Sequence, residues 1–157
     1  MSGNENVGLL QQRLIEARVF KAVLNALERE IGAQRARSLV ASVVRDLAFE
    51  KGRELRRQHP EGGIRVLADL WKSFGEGGAL DVELVEKTDD SLRLRVNRCG
   101  YAKAYQEMGL ADLGYVLSCE RDEPLLKGFS DDITMERSGP TIMEGGDHCD
   151  IIYRVRK

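Results

Sequence analysis

No stretch of this 157-residue sequence is apolar for long enough to cross a membrane, and the polar start Met1–Val7 has no signal-peptide character. Neither sign of charge dominates: 24 Lys and Arg stand against 26 Asp and Glu, which removes the electrostatic case for a nucleic-acid partner. The cluster Arg53, Arg56, Arg57 is interleaved with Glu50 and Glu54 and reads as a solvated helix face. The chain has only three cysteines, an odd and widely spaced set, so no disulfide framework is expected. A cytoplasmic protein with reduced thiols is the reading that follows. Also missing are the close ligand pairs of zinc sites, a framed phosphate loop, a nucleophilic serine elbow and any internal repeat.

What is present suits one globular domain over residues 1–157, with 1–8 flexible, a helical part over 9–78 and a mixed part over 79–157. Leu10, Leu14, Ala17, Phe20, Leu24, Leu27 and Ile31 recur every three or four residues, predicting an amphipathic helix that stops at Gly32. Leu39, Val40, Val43, Val44, Leu47 and Leu55 mark a second helix, broken around Pro60. Ile64, Leu67, Leu70, Trp71 and Phe74 mark a third. The period then changes to two. Leu80, Val82 and Leu84, then Leu92, Leu94 and Val96, alternate with charged residues around Thr88-Asp89-Asp90 and predict a β-hairpin. Helices over 101–108 and 111–121, the latter ending before Pro124, and strands over 133–137 and 148–154 complete the reading. Helices set apart from antiparallel strands define an α+β domain, with helices packed on a sheet of about four strands.

Cys119 and Asp122 are three apart on the last predicted helix, with Tyr115 on the same stripe. A thiol beside a carboxylate is a usable nucleophile and proton carrier, although taken alone a solvated helix-end acid explains the pair as well. Cys99 falls between a strand and a helix. There the helix N-terminus would stabilise a thiolate, and a small capping residue is the equal alternative. Strand alternation puts Cys149, Ile151 and Tyr153 on one face and His148, Asp150 and Ile152 on the other, so His148 is no close base for Cys149.

Taken together, Arg98-Cys99-Gly100-Tyr101-Ala102, Glu107-Met108-Gly109, Cys119, Asp122, Arg137, Thr141 and Gly145-Gly146-Asp147-His148-Cys149-Asp150 resemble the L-2-amino-thiazoline-4-carboxylic acid hydrolase family over roughly residues 95–154. The resemblance implies a hydrolase that opens a small cyclic amidine or thioimidate. Cys119, Asp122, Cys149 and Cys99 would be the catalytic candidates, with Cys119 as nucleophile, Cys149 or Cys99 as second thiol and Asp122 moving protons. Arg137, Thr141, Tyr115, Asp150 and His148 would contact substrate. No cofactor is expected. It also implies a ligand-pocket domain of the 4-vinyl-reductase and TRAPP-component type, which commonly forms a homodimer. The expected partner is a small-molecule substrate, without nucleic acid or membrane. Two alternatives stay open: a non-enzymatic ligand-sensing domain, and a soft-metal or organometal (mercury-lyase-like) site on Cys99, Cys119 and Cys149.

Overall fold

The computed structural model describes residues 7–156; the N-terminal segment expected to be flexible lies outside these except for Val7 and Gly8. Among the described residues, six α-helices accompany a four-stranded sheet. Helix α1 (Leu9–Ile31) buries Ala17 and Leu24 and ends at Gly32, whose positive φ of 82° turns the chain directly into α2 (Ala33–Gln58). A glycine takes that conformation without the steric cost of a side chain. Helix α3 (Gly63–Phe74) has the most one-sided pattern and buries Ile64, Leu67, Leu70 and Trp71.

The hairpin joins β1 (Leu80–Lys87) to β2 (Ser91–Cys99), and Thr88 Oγ1 fixes its turn by accepting from the Asp90 and Ser91 N–H groups at 3.2 and 2.9 Å. Strand β3 (Ile133–Ser138) and strand β4 (Cys149–Val155) complete the antiparallel order β1-β2-β4-β3. Register pairs Leu92 with Tyr153, Leu94 with Ile151 and Val96 with Cys149. It also sets Met135 against Tyr153 and Arg137 against Ile151. Because side chains alternate across a sheet, all of these project to the face the helices cover. The opposite face carries charged pairs such as Arg95–Asp150 and Arg154–Glu136. Leu84 departs from the expected buried alternation: it lies on the edge strand beside a register shift and is 51% exposed.

Between the strands the chain differs from expectation. After α4 (Gly100–Glu107), the helix expected over 111–121 breaks at Ser118 (φ −123°, ψ −69°). It divides into α5 (Ala111–Leu117), a 3-10 turn over Cys119–Arg121, and a further helix, α6 (Asp122–Phe129). Pro124 does not stop a helix here. It is the third residue of α6, where its missing N–H would have found no partner within the helix.

The apolar side chains form two clusters. The sheet-side cluster joins α3, α6, the C-terminal end of α2 and the inner sheet face, with Trp71, Phe129 and Tyr153 as its large members. The helix-side cluster joins α1, α2, α4 and α5 through Ala17, Leu24, Ala36, Val44, Tyr105 and Leu117. Leu80 and Ile142 pack against both.

Candidate functional site

A cavity of about 150 Å³ opens where the two clusters meet. Its walls are mostly apolar, with Leu55, Trp71, Phe74, Val96 and Ile151 on the sheet side. Into it face all three cysteines, together with Asp122 and Arg137. Each arrives by a different route. Cys99 ends β2 and caps α4, accepting from the Ala102 N–H at 3.4 Å. Cys149 opens β4 on the inner face, and its sulfur accepts from the Ile142 N–H at 3.2 Å. Cys119 and Asp122 stand at the joint between α5 and α6, so a 3-10 turn, not a continuous helix stripe, brings them together.

Arg137 reaches in from β3, and its Nη2 donates to Asp122 Oδ2. Its Nε is buried without a partner among the described residues. Asp122 keeps 31% of its side-chain surface accessible and lines the cavity, so it is reachable from inside yet desolvated by the protein around it. Burial therefore raises its pKa from 3.8 to about 6 against the opposing pull of Arg137. A carboxyl group titrating near neutrality can both take and return a proton.

Burial also raises all three thiols, but not equally in kind. Cys119 is pushed up to about 12, by burial first and by the neighbouring Asp122 second. For Cys99, burial is opposed by backbone N–H groups, chiefly that of Ala102. For Cys149, burial is opposed by both the Ile142 N–H and the Arg137 guanidinium. Asp122 and Arg137 act on both thiols, but at Cys119 the carboxylate outweighs the guanidinium. At Cys149 the Ile142 N–H and Arg137 each outweigh the carboxylate, which favours thiolate more at Cys149.

Thr141 lines the cavity, where its side chain lies beside the Cys119 thiol, and its polar groups also fix the turn. Both its N–H and its Oγ1 donate to Glu144 Oε2, each at 2.9 Å, forming a capping box on the 3-10 turn Ile142–Glu144. That turn in turn presents the Ile142 N–H to Cys149. Tyr115 packs against the helix-side cluster and is not among the cavity-lining residues. Asp150 and His148 are also outside the cavity. Asp150 faces the outer side of the sheet, where Arg95 Nε and Nη2 donate to its two oxygens at 2.8 and 3.1 Å. That pairing holds Asp150 below the usual carboxylate range, and His148 Nε2 lies 3.2 Å from the same carboxylate.

Among the described residues, no three His, Cys, Asp or Glu side chains are grouped to hold one ion. The thiols share a cavity without forming a ligand set, so the three-thiolate metal site expected as an alternative is not assembled. Three cavity-lining cations, Arg13, Lys51 and Arg121, were not marked by the sequence pattern. Arg13 precedes Glu16 by three residues, the usual sign of an exposed helix pair. Nothing local distinguishes Arg121 from the other charged residues around Pro124.

No curated protein gives a significant sequence match. The phenol-responsive sensory domain of the transcription activator PoxR, solved with phenol, matches in fold with a TM-score of 0.53 at 12% identity. That match covers 88% of this chain and 73% of the other. The Fe(II) unliganded H-NOX protein from K. algicida gives a TM-score of 0.40 at 11% identity, covering 90% and 96%. Among the described residues, no helix is long and apolar enough to cross a membrane. The family model for L-2-amino-thiazoline-4-carboxylic acid hydrolase matches residues 12–153, well beyond the cysteine-bearing C-terminal part, and the chain belongs to that family.

Proposed function

We propose that this chain hydrolyses a small cyclic amidine or thioimidate, opening a C–N or C–S ring bond, with Cys149 as nucleophile and Asp122 as proton carrier. The observation that carries the reading is the convergence of three thiols, a buried carboxyl and a guanidinium on one cavity in a member of a family named for such a reaction. Cys149 takes the role first expected of Cys119, because Asp122 outweighs Arg137 at Cys119, while the Ile142 N–H and Arg137 outweigh Asp122 at Cys149.

The steps balance without a cofactor. The Cys149 proton passes to Asp122 as sulfur bonds to the amidine carbon, and the π electrons move to nitrogen. The ring bond from that carbon then breaks, and Asp122 returns the proton to the departing ring atom. Water attacks the same carbon, gives up a proton through Asp122 and releases Cys149. Arg137 positions Asp122 and offers positive charge to the developing negative charge. Incubation with 2-amino-thiazoline-4-carboxylate, followed by chromatography of substrate and ring-opened product, tests this. Wild type should turn over and Cys149→Ala should not. Full turnover by Cys149→Ala would overturn the assignment.

A second reading, a non-enzymatic domain that binds a small apolar molecule, draws support from the apolar walls of the cavity. It also draws on the likeness in fold to a domain described as phenol-responsive. Binding of phenol with no turnover of any cyclic amidine would favour it. For assembly, we propose a homodimer through the outer faces of α1 and α2. Exposed Ile15, Val19 and Val23 on the first, and Leu39, Val43 and Leu47 on the second, recur every four residues. Light scattering on the eluting protein gives the mass directly, and a monomer at all concentrations would sink this part.

A further inference from the structure

The ionic residues of the cavity do not balance, and the surplus lies on the helix side. Arg137 is paired with Asp122, and Lys51 with Glu54 at 2.8 Å. Arg13 and Arg121 have one carboxylate between them. Arg13 Nη1 lies 2.7 Å and Arg121 Nη2 3.1 Å from the same atom, Glu16 Oε2. Arg121 is held further by its Nε donating to the Leu117 carbonyl at 2.7 Å, and its side chain is only 9% exposed. Burial first, and Arg13 second, depress its pKa, the direction expected of a cation short of countercharge. A desolvated positive charge without a full partner is costly, and a ligand that brings the missing negative charge recovers that cost.

We propose that Arg13 and Arg121 form the acid-recognition wall of the cavity, selecting ligands that carry a carboxylate, with Glu16 as the internal carboxylate that holds the two guanidiniums in place and competes with the ligand. The proposal rests on the reading of this cavity as the substrate site and adds to it the residues that set specificity. Arginine suits the role because its planar fork gives a carboxylate two parallel donors. Arg137, tied to Asp122, is left for the chemistry.

Calorimetric titration with benzoate and with benzamide, in low salt at neutral pH, isolates the charge, since the two probes are close in size and shape. Wild type should bind benzoate at least about tenfold more tightly than benzamide. Arg13→Gln should remove most of that preference and leave benzamide unchanged, while Glu16→Gln should strengthen benzoate binding severalfold. Arg121→Gln also removes a buried ion pair and so tests fold together with binding; Arg13→Gln and Glu16→Gln carry the test without it. Equal affinity for the two probes, no benzoate uptake at millimolar concentration, or an unchanged preference in Arg13→Gln would overturn the proposal. Cys149→Ser separates it from the catalytic reading: benzoate preference should persist there whether or not turnover survives.

Discussion

The sheet-side and helix-side clusters are built from different stock. The first uses large and β-branched residues, Ile64, Trp71, Phe129, Ile133 and Tyr153, which fill the space between a pleated surface and the helices laid across it. The second uses the small helical residues Ala17, Ala36 and Ala102, with Ala79 from the turn before β1, around two tyrosines. Small residues leave little room between helices, and large ones on a twisted sheet leave room at its margin. The cavity lies at that margin, and ionisable groups that neither cluster could bury alone collect there. Helix α2 serves both sides: Ala36, Val40 and Val44 belong to one cluster, and Leu55 to the other.

The sharpest way to break this arrangement is where α6 crosses the C-terminal half of α2, on the sheet side of the helix that threads both clusters. A side chain added at Gly128 would meet the Phe49 carbonyl oxygen at 2.1 Å, and one at Gly52 the Leu125 carbonyl oxygen at 2.0 Å. These are backbone atoms that cannot swing away. Gly128→Val should therefore destabilise by about 3 kcal/mol or more in denaturant titrations, despite the better helix propensity of most residues over glycine. Retained stability would mean that the helices do not approach so closely.

Next in size are truncations within each cluster. Leu24 on the helix side is 2% exposed and Leu92 on the sheet side is fully buried. Leu24→Ala and Leu92→Ala should each cost about 3 kcal/mol. Because α2 threads both clusters, each variant should still unfold in one transition by fluorescence and by circular dichroism. Separate transitions would show that the clusters fold independently.

The third prediction concerns the seam. Asp122, with its pKa raised to about 6, must be ionised to accept a proton from Cys149. The rate at low substrate should therefore rise with pH through about 6 and fall away on the acid side, as Asp122 becomes protonated. Asp122→Asn should lose that limb and about 10²–10⁴ of the rate, the usual range for a positioned acid–base group. An acid limb preserved in the Asn variant would assign it to another group.

How much of this was legible in the sequence follows from how local each signal is. The first three helices and the hairpin announce themselves by period, since one face of each is buried over many residues. The inward face of Cys149 is equally local, being fixed by strand alternation. Helix α6 was hidden by Pro124, because a proline in a first turn and a proline after a last turn look alike in one sequence. The meeting of Cys99, Cys119 and Cys149 depends on the Val96–Cys149 register and on the break at Ser118, neither of which a linear pattern records. Arg13 and Arg121 come together only because α1 lies over the α5–α6 joint, 105 residues separating Glu16 from Arg121.

The smallest expected effect tests whether the sheet side shapes the cavity. Trp71 forms part of its wall, and its Nε1–H donates to Tyr153 Oη at 3.0 Å inside the sheet-side cluster. Tyr153→Phe keeps the ring and removes the acceptor, leaving a buried indole N–H without a partner, which should cost about 1–2 kcal/mol. Freed from that anchor, the indole gains freedom at the cavity wall, and benzoate affinity should fall severalfold. Leu24→Ala, remote from the wall but more damaging to stability, should leave benzoate affinity unchanged at temperatures where the variant is folded. Opposite rankings of the two variants in thermal melts and in titrations would show that stability is shared between the clusters while the shape of the cavity is set from the sheet. If the two measurements fall in parallel, ligand affinity follows global stability and the sheet has no special part in it.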